Sequence, residues 1–125
     1  MLQMTPTKEF RNKILKFCQP QDVFRKLPLN KLEEYLEIIH IPNLQAILKD
    51  EDLMATVKAF FENNLNLSAT SKSAFMHRNT LIYRLEKIKR EIGLNLKNFE
   101  EARIFKNIIL INEVLQEKLA NEKKQ

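Results

Sequence analysis

Apolar residues recur at spacings of three and four along most of this chain, the mark of one-sided helices. Near the N-terminus, Phe10, Ile14 and Phe17 follow Thr5, a suitable N-cap, and Pro6, suited to the first helical position. A helix is expected from Thr7 to Gln19, closed by Pro20. Pro28 and Pro42 punctuate the next stretch into short helices, with Leu32, Tyr35, Leu36 and Ile39 on one apolar face. That region reads as scaffold. Asp50 can cap a helix from Glu51 to about Asn63, in which Leu53, Val57, Phe60 and Phe61 mark a buried stripe. Glu51 and Asp52 suit its positive N-terminal end, and Asn63 and Asn64 close it, because asparagine is second only to glycine in a left-handed exit.

The pattern then restarts at once. Asn66 can cap a helix of about two turns with the small residues Ser68, Ala69, Ser71 and Ala74, able to lie close to a neighbour. After the run AFMH, a longer helix is expected from Arg78 to Ile92, ended by Gly93, the chain's only glycine, where a left-handed residue is wanted. A last helix should run from near Asn98 to about Leu119. Its apolar face (Ile104, Phe105, Ile108, Ile109, Leu110, Val114, Leu115) is broader than one helix groove requires.

Composition agrees with helices, since one Gly and four Pro in 125 residues argue against a turn-rich β protein. A chain of this length forms one ordinary domain that buries roughly two thirds of its unfolded surface. Cys18 stands alone, which excludes an intramolecular disulfide or a CxxC motif and leaves a small buried hydrophobe as its expected role. No apolar run approaches the ~18 residues of a membrane span, and the start MLQMTPTKEFRNK lacks the apolar core of a secretory signal. A cytoplasmic chain with no membrane partner is expected. HExxH, GxSxG, a phosphate-binding glycine loop and EF-hand spacing are all absent, and His40 and His77 lie far apart. The chain is therefore expected not to be an enzyme, with no catalytic residue, metal or cofactor.

Charge changes this picture. Between Lys72 and Lys97 lie seven basic residues and two acidic ones, a local excess equal to the whole chain's +5, so the remainder is neutral. The excess is a patch rather than a general aid to solubility. On a helical wheel of residues 78–92, Leu81, Leu85, Ile88 and Ile92 share one narrow sector, while Asn79, Tyr83, Glu86, Lys87 and Arg90 lie opposite. Thr80 and Arg84 fall on one flank and Arg78 at the start. A short helix, a tight turn and a longer basic helix make the layout of a helix-turn-helix, whose second helix enters the major groove. Arginine can bridge guanine O6 and N7, and asparagine can bridge adenine N6 and N7. His77, Arg78 and Asn79 are therefore the candidate base readers; Ser68, Thr80, Tyr83, Arg84, Lys87 and Arg90 are the candidates for phosphate and backbone contacts.

The stretch NLSATSKSAFMHRNTLIYRLEKIKREIGLNL also resembles the C-terminal helix-turn-helix domain of the PucR and CdaR family of bacterial transcriptional regulators, a motif similar to that of Fis. The resemblance rests on Asn66, Leu67, Ser68 and Thr70, on the core His77, Arg78, Asn79, Thr80 and Leu81, and on Tyr83, Arg84, Leu85, Ile88 and Gly93. It extends over about residues 23–115. It implies a sequence-specific DNA-binding module, typically dimeric, at the end of a longer protein whose N-terminal domains sense a metabolite such as a purine derivative or sugar diacid. No such sensor is recognisable in these 125 residues, and no effector is assigned. Three positions depart from the family pattern. Ile82 stands where a basic residue is usual, and Ser71 replaces a small alanine. Phe75 occupies the turn, where a positive φ would strain an aromatic residue, so either a differently shaped turn or a packed Phe75 is expected.

The expected fold class is thus all-α, a helical domain containing a helix-turn-helix flanked by supporting helices. Residues 1–49 form an N-terminal helical region suited to scaffolding or dimerisation, and residues 50–125 hold the DNA-binding domain with its C-terminal packing helix. The expected function is transcriptional regulation at a promoter or operator, with double-stranded DNA as partner and a homodimer as the working form. The alternative is a helical protein-interaction module, or a regulator remnant that no longer reads DNA. Dimerisation through the N-terminal helices and through the broad face of the last helix are both compatible with the sequence.

Overall fold

Asparagine and aspartate cap three of the helix starts in the computed structural model, which describes residues 8–18, 26 and 28–123. The first helix, α1 (Lys8–Ile14), passes directly into a 3-10 turn (Leu15–Phe17), which turns Ile14 and Phe17 inward to near-complete burial. The apolar spacing predicted there is present, with a tighter last turn. Thr5, Pro6, Thr7, Gln19 and Pro20, to which its caps and ends were assigned, lie outside the described residues. Helix α2 (Leu29–Ile39) buries Ile38 and Ile39 and sets the Tyr35 ring edge-on to Phe17, with centroids 4.9 Å apart. The side chains of Leu32 and Leu36 lie outside the described set.

Pro42 opens α3 (Pro42–Lys49) at its first turn, as its missing N–H allows. Asp50 then accepts from the Leu53 amide at 3.0 Å and caps α4 (Glu51–Glu62), as its position in sequence predicts. The Asn66 side chain does the same for α5 (Leu67–Ser73), accepting from Ala69 at 2.8 Å. Next comes α6 (Arg78–Ile92), with the predicted bounds, and Gly93 ends it at φ 76° with its amide on the Lys89 carbonyl. Asn98 accepts from Glu101 at 3.1 Å before α7 (Phe99–Lys123), which outruns the expected end at Leu119.

These seven helices, with no strand among the described residues, make the fold all-α. Helix α6 packs on α3, α4 and α5, while α7 packs on α2 and the 3-10 turn. One apolar cluster runs through both groups, from Ile14 and Phe17 through Leu44, Val57, Phe60, Leu81 and Ile88 to Phe105, Ile108 and Leu115. Two side chains tie distant parts of it together. Asn107, buried on α7, donates to the Phe17 carbonyl at 2.8 Å and so satisfies the end of the 3-10 turn. Asn43 on α3 donates to the Glu91 carbonyl at 3.3 Å, near the C-terminus of α6. Cys18 is half-buried rather than enclosed, and its sulfur accepts from the Arg103 guanidinium at 3.2 Å.

Candidate nucleic-acid interface

The site is built from the end of α4 to the end of α6. Helix α4 closes with paired bonds, Leu65 amide to Phe60 carbonyl and Asn64 amide to Phe61 carbonyl, which require left-handed backbone at Asn64 (φ 55°). Leu65 shares that backbone region at φ 61°, with its side chain packed against the core. Asn63 donates both to the Ala59 carbonyl and to the Ser73 hydroxyl, so the exit of α4 is stitched to the last turn of α5. Thr70 is fully buried and donates to the Asn66 carbonyl, giving α5 the small face that lies against its neighbours.

The turn between α5 and α6 repeats the same closing pattern. The Met76 amide donates to the Ser71 carbonyl at 3.0 Å and the Phe75 amide to the Lys72 carbonyl at 3.3 Å. This arrangement places Phe75 in the left-handed position at φ 50°, usually given to glycine. A non-glycine residue there costs about 1–2 kcal/mol. The Ser71 hydroxyl then donates to the Met76 carbonyl and clasps the turn from the other side. Two departures from the pattern that the sequence resembles therefore meet at one turn: serine, from the end of α5, closes the turn that phenylalanine strains. Neither expectation for Phe75 holds, because the turn keeps a left-handed residue and the ring, 98% exposed, packs on nothing.

His77 is the N-cap of α6 with extended backbone (φ −63°, ψ 136°) and no side-chain capping bond. It, Arg78, Asn79 and Thr80 are all exposed, in sequence, around the first turn of the helix. Leu81, Leu85, Ile88 and Ile92 are buried, so the predicted stripe faces the core and fixes the rest of the helix outward. Tyr83 is 61% exposed, Arg90 is exposed and Lys87 is half-exposed along that outer side; Ser68 is exposed on α5. Glu86 on the same helix is paired with Lys97 at 3.5 Å, which draws its negative charge to the far end. Ile82 is half-buried.

Arg84 is placed differently from its companions. Its guanidinium donates to the Thr56 hydroxyl at 2.7 Å and reaches the Asp52 carbonyl at 3.5 Å, both on α4. Thr56 is itself buried and donates to that same Asp52 carbonyl, so the link is a small, satisfied polar chain. Arg84 thus braces α6 against α4. Thr56, which supports it, was legible only as the one polar residue among Leu53, Val57 and Phe60 in an otherwise apolar stripe.

A short helix, a clasped turn and a second helix that buries one stripe and presents its first turn to solvent define a helix-turn-helix module. Residues 53–105 match the family model of the PucR C-terminal helix-turn-helix domain, the family that this stretch of sequence resembles. Three relatives are similar over much of the chain. The purine catabolism regulatory protein of Bacillus subtilis (strain 168) is 32% identical over 63% of this chain and 15% of its own length. The carbohydrate diacid regulator of Escherichia coli (strain K12) is 38% identical over 65% of this chain and 22% of its own. The uncharacterized protein YxkF of Bacillus subtilis (strain 168) is 34% identical over 73% of this chain and 31% of its own. This chain therefore spans less than a third of each of them. No solved structure gave a significant match. Among the described residues, no helix is long and apolar enough to cross a membrane.

Proposed function

We propose that this chain is a DNA-reading module of a bacterial transcriptional regulator, working in the cytoplasm as a non-enzymatic binder of double-stranded DNA. One observation carries the reading: His77, Arg78, Asn79 and Thr80 stand exposed on the first turn of a helix whose other face is locked in the core. That turn is the part of a reader helix that reaches base edges. His77, Arg78 and Asn79 read bases; Ser68, Thr80, Tyr83, Lys87 and Arg90 hold the phosphates. Arg84 acts first as the brace that sets the helix on α4. The match of residues 53–105 to that family model and the names of two relatives as regulators support the same reading.

In vitro selection from a random duplex pool should enrich a defined sequence, and binding to it should weaken steeply with salt as Lys and Arg displace counterions from phosphates. Lys87→Ala should weaken all duplexes alike and lower the logarithmic salt slope by about one. Undetectable duplex binding at low ionic strength, or binding indifferent to salt, would sink the reading.

The working form in this reading is a homodimer, with residues 1–49 as scaffold and 50–125 as the DNA-binding part. The support for a surface comes from the outer side of α7. Ile109 and Leu110 join Met54, Ala55 and Phe61 of α4 around an apolar groove of about 520 Å³. Its rim carries Lys58, Glu62, Lys106 and Glu113, none of them in an ion pair among the described residues. A rim with two charges of each sign is self-complementary across a two-fold axis. Leu110→Asp should leave helicity intact, shift the protein to monomer in sedimentation and abolish preference for a two-half-site duplex over a single half-site. A variant that remains dimeric would reject this surface.

A further inference from the structure

We propose that Phe75 is a DNA-contacting residue, its ring seated against the C5-methyl of a thymine in the major groove beside the bases read by Arg78 and Asn79. The inference rests on the DNA-binding reading above and adds to it an apolar determinant of sequence.

Among the large apolar side chains of the described residues Phe75 is the most exposed, at 98%, against 70% for Phe99 and 61% for Tyr83. The fold gains nothing from that ring, and the backbone beneath it is held in the left-handed region that favours glycine. Both features work against the isolated chain, and both are accounted for if the ring is buried in a complex. The backbone is not loose: Ser71 and Met76 exchange bonds across the turn, one through the Ser71 hydroxyl and one through its carbonyl, so the ring projects from a fixed base.

Position selects the occupant. Phe75 precedes Arg78 by three residues, and three residues span at most ~11 Å. The ring therefore lies at the mouth of the groove that the first turn of α6 enters. Its exposed sequence neighbours are Lys72, Ser73, His77, Arg78, Asn79 and Thr80, a polar and basic surround that matches a polyanion rather than an apolar protein surface. In the major groove the one apolar feature of a base pair is the thymine methyl, and phenylalanine is among the side chains that contact it.

The test uses the full chain and the duplex it selects from a random pool, with each thymine in turn replaced by deoxyuridine, which removes only the methyl. At one thymine the replacement should weaken wild-type binding about four-fold, the worth of one buried methyl. At that position Phe75→Gly and Phe75→Asn, both tolerant of left-handed backbone, should bind the thymine and deoxyuridine duplexes equally. Thermal denaturation should show Phe75→Gly at least as stable as wild type, so that lost discrimination is not lost folding. A selected site without thymine, or deoxyuridine effects that persist unchanged in both variants, overturns the inference while leaving DNA binding intact. Failure of the wild-type chain to select any duplex removes the DNA-binding reading itself, and the inference with it.

Discussion

Replacing Arg78 or Asn79 by alanine should cost about 1–3 kcal/mol on the selected site, roughly 5- to 150-fold, with little loss on random duplex. The asymmetry follows from where the two side chains stand. Both are exposed on the first turn of α6, where truncation opens no cavity and leaves no buried partner unsatisfied. The folded chain should therefore keep its melting temperature, and Asn79→Ala should raise helix propensity by a few tenths of a kcal/mol. The decisive measurement is the ratio of specific to random-duplex affinity at one salt concentration. A ratio unchanged in both variants would mean that the first turn of α6 does not read bases. A loss confined to one of them would show which base pair carries the choice.

Phe60→Ala should be the most damaging single change to the fold, destabilising it by about 3–5 kcal/mol. Phe60 is fully buried at the meeting of α4 with the core, and its carbonyl receives the Leu65 amide that closes α4. A cavity there loosens both the helix that braces Arg84 and the exit that leads into α5. Domains of this size are stable by ~5–15 kcal/mol, so such a loss consumes a large part of the margin. Urea denaturation followed by circular dichroism measures it. The same truncation at exposed Phe75 should be neutral to within about 0.5 kcal/mol, as for surface sites generally. Equal losses at both positions would mean that Phe75 is packed after all.

Where local chemistry and tertiary packing agree, this structure was legible in its sequence. Asp50, Asn66 and Gly93 each have a side chain or backbone suited to one position only, and each stands there. The stripe of Leu81, Leu85, Ile88 and Ile92 decided which residues of α6 face outward, and those exposures follow. Legibility failed where packing overrides propensity. Leu65 and Phe75 hold left-handed backbone that their side chains disfavour, because two amide bonds and a core contact, or a serine clasp, outweigh the local cost. The brace made by Arg84 was illegible for another reason: Arg84 borders the apolar stripe, and only the neighbouring helix decides that its guanidinium turns toward a buried threonine. The end of the last helix was underestimated because nothing in its final turns marks a stop; the chain carries its helix on to Lys123.

The bond between Asn107 and the Phe17 carbonyl spans 90 residues of sequence. On a ribosome adding ~5–20 residues per second, Phe17 thus waits roughly 5–18 s for its partner to be made. Ile14 and Phe17 share their cluster with Phe105, Ile108 and Leu115, so the apolar interior has no lid until the last helix emerges. Helix α6 is synthesised before α7, which closes the apolar cluster they share. Nascent chains stalled before residue 107 should therefore expose apolar surface and recruit chaperones.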